Sequence, residues 1–339
     1  MTAEERRLHF GLLRDFVDRN TVLRWVEFFR DAIESSLSPM SAYHLPTQSI
    51  SLEAVLGGYL KASNRVLFLD YDGTLMGIQK VPSAAAPSAE ILRTLRMLTA
   101  DLNNHVYVIS GRDQGTLESW LGHIPRLGLS AEHGCFLRTI QEPIEKPTWI
   151  ATVDLQELYW HQDVLPILEY YTERTPGSFI EQKTVSITWH YRLADPEFGS
   201  WQAKEVKTHL EHTVASKYSV EVVAGKKNVE VRPKTSNKGE IVKMILERHG
   251  GCDFILCAGD DRTDEDMFRA IFDLHPELLS PLHPASADGG EKEWCFTCSV
   301  GGVAKKTAAK YRVNTPDQLV SLLMRLGSMM SERAGGLTM

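Results

Sequence analysis

Four apolar runs restrict the folds open to this chain more than any other feature: Arg65 to Asp70 (RVLFLD), Asn104 to Ser110 (NHVYVIS), Gly128 to Gly134 (GLSAEHG) and Asp253 to Asp260 (DFILCAGD). None alternates polar with apolar residues, so each predicts a strand covered on both faces, as in a parallel sheet. Helical patterns lie between them, as at Glu90–Leu102 and Lys238–His249. Strand–helix alternation of this kind implies an α/β fold with a doubly wound sheet. Such sheets place ligands beyond the carboxyl ends of their strands, where three of these four runs end in polar residues.

The texture changes between residues 148 and 230. Asp154–Glu173 reads as a helix interrupted near Pro166, followed by paired strands at Ser178–Lys183 and Val185–Arg192. A second helix at Glu197–Ser216 precedes strands at Tyr218–Val223 and Asn228–Val231 around the turn Gly225-Lys226-Lys227. The order αββαββ describes an α+β module inserted into the larger fold. After it come a strand near Tyr311 and a helix from Pro316, with Thr315 and Gln318 as a capping box. The first fifty residues predict a helix, with Val22, Trp25, Val26 and Phe29 at three-and-four spacing and a Ser/Pro-rich connection from Pro39 to Pro46. The expected division is a helical extension (1–50), a discontinuous core (51–147 and 232–327), the insert (148–231) and a tail (328–339).

Composition excludes several classes. With 43% hydrophobic and 24% charged residues, the 339-residue chain is not largely disordered. No apolar run approaches the roughly 18 residues of a membrane span, and MTAEERRLHF lacks a signal-peptide core, so a cytoplasmic protein without membrane contact is expected. A formal charge of −7 argues against a broad nucleic-acid interface. Five cysteines, an odd number, argue against a disulfide framework. Cys295 and Cys298 have no second ligand pair to complete a zinc site and read as strand residues. Dinucleotide-binding, P-loop and zinc-peptidase motifs are missing.

Chemistry gathers where the strands end. Asp70-Tyr71-Asp72-Gly73-Thr74-Leu75 follows the first strand, and its Gly and Thr allow a tight loop that turns both acids toward one point. Alone, the hexapeptide is also a plain strand-to-turn cap. Ser110-Gly111-Arg112 follows the second strand, where a hydroxyl and exposed amides can hold an anion. Lys238-Gly239 opens a helix, and Gly259-Asp260-Asp261-Arg262-Thr263-Asp264-Glu265 ends the fourth strand. Clustered carboxylates repel unless a cation occupies them, and hard oxygen ligands favour Mg²⁺.

This order of motifs resembles the haloacid dehalogenase superfamily of phosphohydrolases over roughly residues 64 to 320. The resemblance implies a Rossmann-like core with an inserted αββαββ cap. It also implies that Asp70 is the nucleophile, that Asp72 is the acid–base, and that Ser110 and Lys238 bind the phosphoryl group. Mg²⁺ would sit on Asp70, the Asp72 carbonyl and Asp260, with Asp264 close by. Finer motifs are similar to those of the trehalose-6-phosphate phosphatases, in a fungal-type form: Ala131-Glu132-His133-Gly134, Gly177 to Lys183 (GSFIEQK), Trp189-His190-Tyr191-Arg192, Asn228 to Pro233 (NVEVRP) and Gly259 to Asp266 (GDDRTDED). By that resemblance Glu181, Lys183 and Glu230 hold the distal glucose, Arg192 lies nearer the phosphate, and Arg112 and Glu132 complete the substrate contacts. The plain alternative for Glu181 and Lys183 is one solvated strand face. His133, His190, Trp189, Tyr191 and Trp201 read as structural.

Residues 1–29 resemble the tail of a synthase-type glucosyltransferase domain, which implies the phosphatase portion of a longer protein and no glycosyltransferase activity. Their plain alternative is an amphipathic helix packed on the core. The expected substrate is trehalose 6-phosphate, with subunits of a trehalose synthase complex as possible partners. Two alternatives stay open: a phosphatase for another sugar phosphate such as sucrose phosphate, and a non-catalytic binding subunit.

Overall fold

A computed structural model describes residues 47–79, 84–140, 148–235, 237–279, 294–302 and 306–335. The expected N-terminal helix, the Pro39–Pro46 connection and the glucosyltransferase-like tail lie outside the described residues, as do 336–339 at the other end.

Among the described residues, the larger of two sheets is built on β2 (Arg65–Asp70), β3 (Asn104–Ile109), β4 (Leu127–Ala131) and β11 (Phe254–Gly259). All six residues of β2 and of β11 are buried, the two-sided cover that their unbroken apolar runs require. The order is β1-β13-β12-β11-β2-β3-β4-β5-β6, with β1 (Gln48–Ser49), β12 (Cys295–Val300) and β13 (Tyr311–Val313) parallel to the central strands. β5 (Phe136–Arg138) and β6 (Trp149–Ala151) add an antiparallel edge. From β2 the chain winds one way to β3 and β4 and later the other way from β11 to β12. The reversal opens a crevice between the carboxyl ends of β2 and β11. α1 (Leu52–Tyr59), α2 (Ala89–Ala100), α3 (Gln114–Leu121), α6 (Lys238–His249), α7 (Asp264–Leu274) and α8 (Pro316–Gly335) belong to this unit.

The smaller sheet is antiparallel, ordered β7-β8-β10-β9: β7 (Phe179–Gln182), β8 (Ile187–His190), β9 (Val220–Ala224) and β10 (Asn228–Pro233). α4 (His161–Arg174) and α5 (Pro196–Thr213) cover one face, where Ile187, Trp189, Val222, Val229 and Val231 pack with Val164, Leu168, Val206 and Leu210. Side chains alternate across a strand, so the opposite face is free for polar residues. Register sets Glu181, Thr188 and Glu230 side by side across β7, β8 and β10.

The fold corrects the expected boundaries. Trp149–Ala151, assigned to the insert from 148, pairs with β5 in the larger sheet, because its edge needs a covering strand. Gln48–Ser49, assigned to the helical extension, pairs with β13, and α8 runs through the expected tail as far as Gly335. α4 is not interrupted at Pro166. The helix begins only five residues earlier, at His161, after a 3₁₀ turn over Leu155–Trp160. Thr315 Oγ1 accepts the Gln318 backbone amide at 3.3 Å, but the Gln318 side-chain Oε1 accepts the Asn314 amide at 2.8 Å rather than that of Thr315. Cys295 and Cys298 are buried strand residues. Among the described residues no helix is long and apolar enough to cross a membrane.

At the amino ends of the strands, His249 closes α6 with its Nε2 2.8 Å from the Tyr107 hydroxyl and its ring 4.1 Å from that of His105. Burial, then His105 and Arg248, push its pKa down to about 4. An unfolded chain would protonate this histidine below about pH 6.5, whereas the folded one resists until about pH 4, so stability falls with acidification across that window. His249→Gln is expected to lose less in melting temperature between pH 7 and pH 4 than the parent, by paired thermal scans. An unchanged pH slope would show that this pair does not govern it.

Candidate active site

Asp70 is the last residue of β2, and the chain turns at once. The Gly73 amide donates to the Met76 carbonyl at 2.6 Å, and the Met76 amide to the Tyr71 carbonyl at 3.0 Å. Gly73 has φ +94°, and a Cβ there would lie 2.3 Å from the Asp260 carboxyl, so this position needs glycine on two counts. β11 delivers Asp260, α7 begins with Asp264, and α6 begins with Lys238 behind the N-cap Asn237. Asp70, Asp260 and Asp264 each bring an oxygen within 4.8 Å of the others.

Lys238 neutralises part of this cluster. Its Nζ donates to Asp70 Oδ1 at 2.5 Å and to Asp264 Oδ1 at 2.8 Å, with the side chain only 2% exposed. Burial alone would discharge it, but Asp264 and Asp70 outweigh burial and hold its pKa well above the usual value. Burial and the charge of Asp264 push Asp70 well up, against the pull of Lys238, and burial raises Asp264 to about 6. Asp264 also accepts the Asp260 and Asp261 amides at 2.7 and 2.9 Å, which fixes the loop after β11.

The other expected site residues divide into groups. Asp72 is clasped by Arg112, whose Nε and second amino nitrogen donate to its two oxygens at 2.7 Å each. Arg112 also lies over the Trp120 ring, 5.1 Å from its centroid. Ser110 is fully buried, and its Oγ accepts the Arg112 amide. In the smaller unit Lys183 donates to the Gly111 carbonyl at 2.9 Å and lies 3.4 Å from Glu230 Oε1. Burial would raise the Glu230 pKa, but Lys183 and His133 outweigh it and hold the carboxyl well below its usual value. Glu181 is held by His190 Nε2 at 2.6 Å. Arg192 donates to the Gln79 and Lys226 carbonyls at 3.0 and 2.7 Å.

Glu132 does not stand where the resemblance implies. It is not a lining residue: at 1% exposure, its two oxygens accept the amides of Thr184, Val185 and Ser186. Three amide donors occupy most of the carboxylate's roughly four acceptor sites, and Glu132 is not among the residues that line the cavity. Sequence reading also missed two contributors. Lys226, in the β9–β10 turn, reaches Asp260 Oδ2 at 2.6 Å, and Ser186 Oγ donates to Glu230 Oε1 at 2.9 Å. A cationic turn and a serine in a neighbouring turn carry no signal until the register is known.

A switch-point crevice ending in Asp70, Asp72 and Asp260, faced by a basic helix start and roofed by an inserted sheet, is the layout of a haloacid dehalogenase-like fold. A haloacid dehalogenase-like hydrolase from Bacteroides thetaiotaomicron has the same layout, at TM-score 0.51 and 15% identity over 78% of this chain and 99% of that one, a likeness of fold alone. The trehalose-phosphatase family model matches residues 68–317, and the chain belongs to that family. The solved C-terminal domain of Candida albicans trehalose-6-phosphate phosphatase is 41% identical, with TM-score 0.75 over 84% of this chain and 99% of that one. A Schizosaccharomyces pombe trehalose-phosphatase is 42% identical over 316 residues, which are 92% of this chain. The chain spans only 36% of that relative's length.

Proposed function

We propose that this chain hydrolyses trehalose 6-phosphate to trehalose and inorganic phosphate. One observation carries the reading: a single cavity of about 910 Å³ is lined by Asp70, Asp72, Lys238 and Asp260 and also by Glu181, Lys183, Arg192 and Glu230. One group of these residues suits a phosphoryl group, and the other offers several hydrogen-bonding partners to a polyol. A cavity of this size suits a ligand as large as a disaccharide phosphate.

In the first half-reaction an Asp70 carboxylate oxygen attacks phosphorus, the bond from phosphorus to the sugar oxygen breaks, and Asp72 gives that oxygen its proton. In the second, Asp72 takes a proton from water, the water oxygen bonds to phosphorus, and the Asp70–phosphorus bond breaks to release phosphate. Splitting one displacement into two suits a carboxylate nucleophile, and a placed acid–base contributes about 10²- to 10⁴-fold. Arg112 orients Asp72 through their two-point pair. Lys238 attracts the phosphoryl oxygens while holding Asp70 in line.

The acidic cluster fits Mg²⁺. Its donors are all oxygens, and Asp70 Oδ2 is buried with no hydrogen-bond partner among the described residues. Asp70, Asp260 and the Asp72 carbonyl would hold the ion, with Asp264 kept behind them by Lys238. When bound, the ion supplies charge neutralisation at the phosphoryl oxygens. The natural protein is read as longer and cytoplasmic, with a glucosyltransferase-like region preceding this part and other trehalose synthase subunits as partners.

Phosphate release from trehalose 6-phosphate is expected to fall at least about 100-fold in EDTA and to return with added Mg²⁺. Comparable rates on glucose 6-phosphate or sucrose phosphate would remove the substrate assignment. No release from any ester would favour a non-catalytic subunit.

A further inference from the structure

Glu132 takes no step in the hydrolysis mechanism but stands at a junction beside the residues that do. Its side chain collects the amides of Thr184 at 2.9 Å, Val185 at 2.8 Å and Ser186 at 3.2 Å, all in the turn between β7 and β8. Its own amide donates to the Arg112 carbonyl at 2.9 Å, and the next amide, of His133, to the Ser110 carbonyl at 3.0 Å. One residue therefore holds the loop after β3 through its backbone and the roofing sheet through its carboxylate. Lys183, adjacent to the clasped turn, closes the ring by donating to the Gly111 carbonyl at 2.9 Å.

The arrangement is costly to build. Glu132 and His133 both have left-handed backbones, with φ of 48° and 56°. Non-glycine residues occupy that region only where surrounding contacts enforce it. The carboxylate is 1% exposed, and a buried charge is tolerated only when fully hydrogen-bonded. Gly111 belongs to the same junction, since a Cβ there would lie 2.4 Å from the His133 ring.

The clasp also aims side chains at the cavity. Lys183 reaches Glu230 Oε1 at 3.4 Å from just before the clasped turn, and Ser186 Oγ reaches the same oxygen at 2.9 Å from within it. His133, next to Glu132, lies 3.3 Å from Glu230 Oε2. We propose that Glu132 is a positioning residue that locks the turn Thr184–Ser186 to the loop Ser110–Arg112 and thereby sets where Lys183 and Glu230 meet the leaving group. The substrate part of this statement rests on the sugar-phosphate reading above, whereas the clasp itself does not.

Glu132→Gln tests it. Glutamine keeps the shape but turns an amino group toward amide donors, so at least one of the three loses its acceptor. KM for trehalose 6-phosphate is expected to rise about tenfold, from loss of charge-assisted hydrogen bonds that hold the reading residues. Turnover of p-nitrophenyl phosphate, which has no sugar to read, should change by less than about twofold. A parallel fall on both esters would mean a merely structural role and overturn the proposal. Hydrogen exchange supplies a second readout that needs no variant and no substrate. The Thr184, Val185 and Ser186 amides of the parent should exchange as slowly as sheet amides, and exchange at open-turn rates would also overturn the clasp. Inactivity of the parent on trehalose 6-phosphate would instead defeat the substrate reading, with the exchange result still deciding the clasp.

Discussion

Asp70→Asn is expected to abolish phosphate release, by about 10⁴-fold or more, without unfolding the protein. Asparagine is nearly isosteric and can still accept from Lys238, so the cavity and the Asp264–Lys238 contact survive. The anionic oxygen that must bond to phosphorus is lost. Asp70 is buried beside Asp264, and both have raised pKa values, so the ionised pair is held in place against repulsion. Removing one charge relieves that repulsion, and the melting temperature should stay level or rise. Loss of turnover with unchanged stability separates chemistry from folding. Phosphate release at the parent rate would exclude Asp70 as the nucleophile.

Lys238→Met should damage activity and stability together. The ammonium joins carboxylates at 2.5 and 2.8 Å in a buried setting, and removing one member of such a set leaves uncompensated charge. The expected cost is about 3–5 kcal/mol, a fall in melting temperature on the order of 10 °C, read by thermal unfolding. The pH dependence has a definite sign. Asp264 already titrates near 6, above its ordinary value, and loss of Lys238 raises it further. An acid whose folded pKa is raised destabilises the fold as pH rises through that value, so the deficit should be largest above pH 6 and shrink on acidification. Placing the substitution in the Asp70→Asn background should cost less than in the parent, because part of the orphaned charge is gone. Full additivity would mean that Lys238 and Asp70 do not act as a unit.

The parallel core was legible because its signals are local. An unbroken apolar run such as Phe254–Gly259 can be satisfied only between covered faces, and the acids that follow it must then emerge at a strand end. The antiparallel edge was less legible. Phe136–Arg138 and Trp149–Ala151 are three residues each, too short for a period to declare itself, and the boundary of the insert was misplaced as a result. Glu132 was misread for a different reason. Its neighbours are ordinary site residues in sequence, but its carboxylate partners lie 52 to 54 positions away.

What the sequence determined by itself was the order of strands and helices and the chemical identity of the groups at their ends, because period and loop chemistry act over a few residues. Only the tertiary structure decided which of those groups meet. Lys238 and Asp70 are 168 positions apart, and Glu181, Thr188 and Glu230 share one row only through the register of three strands. Register is set by which face each strand buries against α4 and α5, and a one-residue slip of any of the three strands would turn its side chain away from the cavity.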